Sequence, residues 1–356
     1  MAVGFTGTEA SRDRNTSTNS DEPLMETFIS VFNFYLPSVT LSLGFVGNMI
    51  IFIIMTKRLR KRQNVIMSYH FRALALGDNG ALTLGFGQRV ILSIFPNAYA
   101  YYGDFMCKEF NYSLFVFFGV HVWNVIIISI DRFVAVCSPL KAAAWCTVKK
   151  ARACYLFNCC FHLAFNSVKL WKYYQYPTKQ SNEICVNPPE FPHWFEGFFV
   201  MFYYVIVNYS SPIIVLILNV SILIKFKRQG KELRNLGKTA TKRKTDSQER
   251  HLTVMMLVVA FSFIFFLSCY PISDFVWNFF IPHVAMAYPN LVGLSYSFFY
   301  FILSLNSCLN FFIYSLVSAP FRKDFTNILR LFTRKIAGNY TGPSACHHKA
   351  DRRFLL

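Results

Sequence analysis

Charge is what this chain has little of. Only 15% of its 356 residues are charged, where a soluble domain of this length carries about 25%. Such a scarcity argues against an ordinary water-facing surface. Also missing are a recognisable nucleophile–base pair, a phosphate loop and a metal cluster, so no enzyme chemistry is expected. Ten cysteines are present, yet none is spaced for zinc: Cys159 and Cys160 are adjacent, and His347-His348 have no cysteine partner at suitable spacing. The first 28 residues are polar and lack the apolar core of a cleavable signal peptide. The first apolar run is therefore expected to act as an uncleaved anchor. No internal repeat or transit signature is visible.

What the chain has instead is apolar residues, 54% of the total, with 40 phenylalanines. A membrane-crossing helix needs about 20 mainly apolar residues. Seven stretches qualify, roughly Ile29–Thr56, Val65–Phe95, Asn111–Val136, Thr147–Trp171, Phe195–Phe226, Leu252–Phe280 and Leu291–Val317. The second and fourth are the weakest. The second holds His70, Arg72, Asp78, Gln88 and Arg89, and the fourth Asn158, His162 and Asn166. Polar residues inside a span usually face the bundle interior. The expected fold is an all-α membrane protein: a polar tail over 1–28, a seven-helix bundle over 29–317, a short amphipathic helix over 318–333 and a tail over 334–356.

The net charge of +18 is unevenly placed. Connections after the first, third and fifth spans, together with the tail after the seventh, hold 28 of the 36 Lys and Arg. Seven crossings put all four segments on one side, and the positive-inside tendency makes that side cytoplasmic. The amino terminus is then extracellular and the carboxyl terminus cytoplasmic. Anionic inner-leaflet lipid rewards such cations by about 1 kcal/mol each, so the basicity calls for no nucleic-acid partner. Asn15-Thr16-Ser17 is a glycosylation acceptor sequence in the expected extracellular tail. Only Cys107 and Cys185 fall on the outer side. There an oxidising compartment favours a disulfide between them over two unpaired thiols.

The run Phe115–Ile130 ends in Asp131-Arg132. Charges at the end of a buried membrane helix are costly and are usually kept for a function. Arg132 can pair with Asp131 in one state and turn toward a cytoplasmic partner in another, a two-state element that a ligand can bias.

Set on these spans, the polar residues resemble the rhodopsin-like (class A) G-protein-coupled receptors over roughly 29–333. The resemblance rests on Gly47-Asn48, Leu74-Ala-Leu-Gly-Asp78, Cys107 standing 25 residues before Arg132, Asp131-Arg132-Phe133, Pro212, Phe265 with Pro271, and Asn306-Ser-Cys-Leu-Asn310-Phe-Phe-Ile-Tyr314. The stretch Cys137–Arg152 is similar to invertebrate neuropeptide receptors. The family implies a coupling switch at Asp131, Arg132, Phe133, Asn310 and Tyr314, and helix kinks at Pro212 and Pro271. It also implies a polar core of Asn48, Asp78, Asn306 and Asn310, where water or a sodium ion near Asp78 is bound; no other cofactor or metal is implied. The implied setting is the plasma membrane and the implied inner partner is a heterotrimeric G protein.

Some positions depart from the family pattern. Phe311 stands where a proline usually follows Asn310, which implies a stiffer span seven; Cys269 replaces the usual tryptophan two before Pro271; and Val220 replaces a tyrosine. Leu114 and Ser304 exclude an amine transmitter and a retinal chromophore, since the family's aspartate and lysine are absent there. For the ligand, an aromatic pocket with a few charges suits a short peptide with a cationic or amidated end. Arg89, Glu109, Asp274 and Trp277 are the candidate contacts, with Asp274 the partner of a ligand cation. The alternatives are a chemosensory receptor for small molecules and a non-coupling scavenger receptor of the same fold.

Overall fold

The computed structural model describes residues 22–95, 98–172, 174–176, 184–186, 198, 201–235 and 240–340. They are almost wholly helical; the described residues add one antiparallel pair of short strands, Tyr174–Tyr176 with Ile184–Val186, lying against the third span. Span one runs through Glu22–Ser30, a π-helical turn Val31–Tyr35 and Leu36–Arg60. Span two is Val65–Gly80, a π-helical turn Ala81–Phe86 and Gly87–Ile94. Spans three and four are Ala98–Cys137 and Val148–Asn166. Span five is the π-helical turn Tyr204–Tyr209 and Ser210–Asn235; span six is Ala240–Phe275 with a π-helical turn Val276–Phe280. Span seven is Pro289–Cys308 and Asn310–Val317. The eighth helix, Ala319–Tyr340, runs past the expected end at residue 333.

Five helices among the described residues are long and apolar enough to cross a bilayer by length and composition: Thr27–Arg60, Lys108–Cys137, Met201–Gln229, Thr253–Phe275 and Asn290–Cys308. The second and fourth fall short because of their polar residues. Those residues point inward: His70, Asp78, Asn158, His162 and Asn166 are all buried. Bulky apolar side chains such as Val46, Leu156, Phe157, Ile217 and Phe265 are exposed instead. This inversion is what lipid requires, since a bilayer solvates apolar surface and leaves buried polar groups to find partners within the protein. Asn158 illustrates it, donating to the Val120 carbonyl and to Asn124 Oδ1, both at 3.1 Å.

Span three is the hub, packing on spans two, four, five and six, while span one closes the ring against spans two and seven. Thr147 caps the start of span four, its hydroxyl accepting from the Lys150 N–H at 3.3 Å. The last turn of span one carries Lys57, Arg58 and Arg60, cations that suit the negative end of the helix dipole. The eighth helix is fixed at its start by Ser318 Oγ, which accepts from the Phe321 N–H at 3.3 Å. Arg58 then donates to Asp324 at 2.6 Å, and Phe321 and Ile328 are buried beneath.

The two prolines sit in different surroundings. Pro212 follows the π-helical turn of span five, and the hydroxyls of Ser210 and Ser211 donate to the Ile206 carbonyl at 2.7 and 3.1 Å. Pro271 lies inside the unbroken helix Ala240–Phe275, where its missing N–H removes one backbone bond from the ladder.

Span seven departs from the stiffness that Phe311 implies. Its helix lapses at Leu309, with φ −80° and ψ −11°. Asn48 of span one donates to the Ser307 carbonyl at 2.9 Å, an acceptor that a regular helix gives to the N–H four residues on, at Phe311. A side chain inserted into the ladder loosens span seven where a proline would otherwise have done so. Gly47 makes this approach possible, because a Cβ there would stand 2.8 Å from Cβ of Phe311. Gly47→Ala is therefore expected to cost about 1–3 kcal/mol of stability, measured as a lower thermal midpoint of the purified protein. An unchanged midpoint would contradict the packing described here.

Candidate functional site

Polar side chains gather at three levels of the bundle. In the middle, Asp78 is fully buried at 0% exposure. Its Oδ2 accepts from Asn310 Nδ2 at 2.6 Å, and its Oδ1 stands 2.6 Å from Nδ1 of His121 on span three. The far side of the His121 ring is engaged as well, with Nε2 at 2.9 Å from Asn306 Nδ2. Four residues on spans two, three and seven thus form one chain, Asn310–Asp78–His121–Asn306. Burial without partners would cost a carboxylate several kcal/mol, which explains why the donors converge. Asn48, expected in the same cluster, does not touch the carboxylate and holds the span-seven carbonyl instead. A nitrogen atom stands 2.6 Å from each carboxylate oxygen, so this arrangement does not fit the sodium ion expected beside Asp78.

At the inner end of span three, Arg132 Nη2 donates to Asp131 Oδ2 at 2.7 Å. His70 of span two approaches the same oxygen through Nε2 at 3.4 Å, and its Nδ1 is 2.6 Å from the Tyr155 hydroxyl of span four. His70 of span two thus stands beside Asp131, and Tyr155 of span four holds the other side of the histidine ring. Cys146 donates to the Asp131 backbone carbonyl at 3.5 Å. Burial and then the nearby Asp131 carboxylate push its thiol up to about 11, so it stays protonated at neutral pH. Arg132 also lines a narrow inner cleft with Phe71, Ser129, Asn219, Met256 and Val259. Within this cleft Asn219 Nδ2 reaches Ser129 Oγ at 3.0 Å.

Phe133 is half-buried at the same level. Tyr314 is 1% exposed, its ring packed on Phe71 and Phe321 at centroid separations of 4.8 and 5.8 Å. Its hydroxyl has no hydrogen-bond partner among the described residues.

Toward the outer side lies an apolar cavity of about 120 Å³, lined by Phe86, Leu114, Phe118, Tyr203, Tyr270 and Tyr300 among others. An aromatic series leads upward from it: Tyr270 packs on Tyr300 at 6.2 Å and on Tyr296 at 5.9 Å. The Tyr296 hydroxyl donates to Asp274 at 2.9 Å, and one turn on Trp277 Nε1 donates to Ser295 at 2.6 Å. Both expected span-six contacts are thus turned toward span seven. Glu109 is half-buried and is not among the cavity-lining residues. Lys169, buried at the outer end of span four, sits 3.9 Å above the Phe115 ring that lines the same cavity. Asn15 and the side chains of Arg89, Cys107 and Cys185 lie outside the described residues.

Sequence reasoning did not assign His70, His121, Tyr155, Asn219 or Lys169 to these places. Spacing gave one clue for His121: it lies eleven residues, three helical turns, before Arg132, so both face the same side of span three.

A model of the family described as "7 transmembrane receptor (rhodopsin family)" matches residues 47–314. An FMRFamide receptor of Drosophila melanogaster is 26% identical over 328 residues, which are 87% of this chain and 55% of that protein. Somatostatin receptor type 2 of Mus musculus is 27% identical over 62% of this chain and 57% of its own length. The receptor of the same name from Sus scrofa is 25% identical over 92% and 84% respectively. The chain thus spans little more than half the length of two of these relatives.

The direct bond between Asp78 and Asn310 carries a measurable expectation. A double-mutant cycle of Asp78→Asn and Asn310→Ala, read by thermal unfolding, is expected to give a coupling of about 1.5–3 kcal/mol. Additive effects would mean the two side chains do not interact.

Proposed function

The chain belongs to the rhodopsin family of seven-transmembrane receptors, a multi-pass membrane protein, and on that footing we propose that it is a neuropeptide receptor of the plasma membrane that signals through a heterotrimeric G protein. The observation that carries the reading is the Asp131–Arg132 pair, 2.7 Å apart at the inner end of span three and lining the inner cleft. A guanidinium held by its own neighbour is in a resting arrangement. When spans three and six part, Arg132 is released into a cleft that also offers Asn219. Opening of that face gives a G protein its docking site, and the cations of the inner connections place it on the cytoplasmic side. His70 and Tyr155 steady Asp131, so they set how readily the pair opens.

The ligand end supports a peptide. All three receptors reported above carry names of peptides, FMRFamide or somatostatin. The cavity is apolar and aromatic, with Asp274 held one turn above Pro271 by Tyr296. A peptide cation drawn to Asp274 would pull on Tyr296 and Tyr270, side chains of spans seven and six. Ligand binding then biases the helix whose movement frees Arg132, which meets the requirement that a ligand distinguish the two states.

A peptide-library screen in cells reporting calcium and cyclic AMP is the direct test. With the active peptide in hand, Arg132→Ala is expected to keep surface expression and peptide binding while G-protein activation is lost. Full activation by that variant would overturn the switch. Asp274→Asn is expected to weaken a cationic peptide by about 1.5–3 kcal/mol, roughly 10- to 100-fold in potency. Unchanged potency would remove Asp274 from the ligand site.

A further inference from the structure

The family resemblance implies a sodium ion at Asp78; we infer that in this receptor the imidazole of His121 stands in that place and closes the core carboxylate to sodium. The inference goes beyond the peptide and G-protein reading and depends on neither. Hard cations are held by oxygen lone pairs. At Asp78 the neighbours present nitrogen: His121 Nδ1 and Asn310 Nδ2, each 2.6 Å from a different carboxylate oxygen. The ring cannot swing aside freely, because Asn306 holds Nε2 at 2.9 Å and Phe263 packs beside it at a centroid distance of 6.1 Å.

The backbone is built for this approach. Gly77, next to Asp78, faces span three, and a Cβ there would meet Asn124 Nδ2 at 2.8 Å and the His121 Cα at 3.5 Å. Spans two and three are therefore close enough for the imidazole to reach the carboxylate directly. A fixed side chain does here what an exchangeable ion would do: its ring nitrogen stands 2.6 Å from Oδ1, joins Asp78 to span three and fills the space beside that oxygen. The tie travels with the helix instead of depending on the ionic content of the medium.

The test is thermal unfolding of the full-length purified receptor in sodium chloride against choline chloride at equal ionic strength. The native protein is expected to give the same midpoint in both. His121→Ser removes the ring and leaves the oxygen-bearing side chains of Asp78, Asn306 and Asn310 around the space it filled. That variant is expected to gain a saturable, sodium-specific rise of about 2 °C or more, abolished by adding Asp78→Asn. A sodium-specific rise in the native protein would overturn the inference, and so would a folded His121→Ser variant indifferent to sodium. If His121→Ser does not fold, the native measurement still decides, together with His121→Asn as the milder variant. Neither readout needs a peptide or a G protein, so failure here leaves the proposed receptor function standing.

Discussion

A carboxylate placed where neither water nor lipid can solvate it must be satisfied by the protein, and in this receptor that requirement organises the bundle. Asp78 draws Asn310 from span seven and His121 from span three to within 2.6 Å. Losing the Asn310 donor leaves a charge-bearing group buried and short of a partner, which is far more costly than losing an apolar contact. The chain continues through Asn306 and, one residue on, through the Ser307 carbonyl that Asn48 holds. Spans one, two, three and seven are in this way linked by polar side chains at one depth. Helix association in lipid, where apolar surfaces gain nothing by avoiding the solvent, depends on such bonds and on close packing at small residues.

The same span three carries the opposite kind of site at its inner end. Asp131 and Arg132 satisfy each other with neighbours from spans two and four, but Arg132 borders a cleft and keeps a second place to go. Core and switch thus differ in what surrounds them. Asp78 is wholly buried, whereas Arg132 lines the inner cleft. One continuous helix, Ala98–Cys137, carries both His121 of the core and Arg132 of the switch.

Much of this was legible in the chain. Seven apolar runs, the side-to-side bias of lysine and arginine, and the order of the polar signatures pointed to the architecture and to Asp78, Asn310, Asp131 and Arg132. Legibility failed where contact depends on how helices are rotated and how near they come. His70 and His121 read only as polar residues in apolar runs until spans two and three were packed together. Asn48 was expected at the carboxylate and was found on a carbonyl of span seven. Phe311 implied a stiff helix, yet Asn48 supplies the irregularity from outside, and no local propensity records that.

The sequence by itself determined the seven apolar runs, the lipid surroundings they suit and the connections in which the cations gather, because hydropathy over twenty residues and the placement of charge are properties of the linear chain. Tertiary structure alone decided which donors meet Asp78, which histidine steadies Asp131 and where span seven loosens. Those outcomes hang on interhelical distances of a few ångströms, set by glycines such as Gly47 and Gly77 that let backbones approach, and a spacing along one helix carries no information about the neighbour it will face.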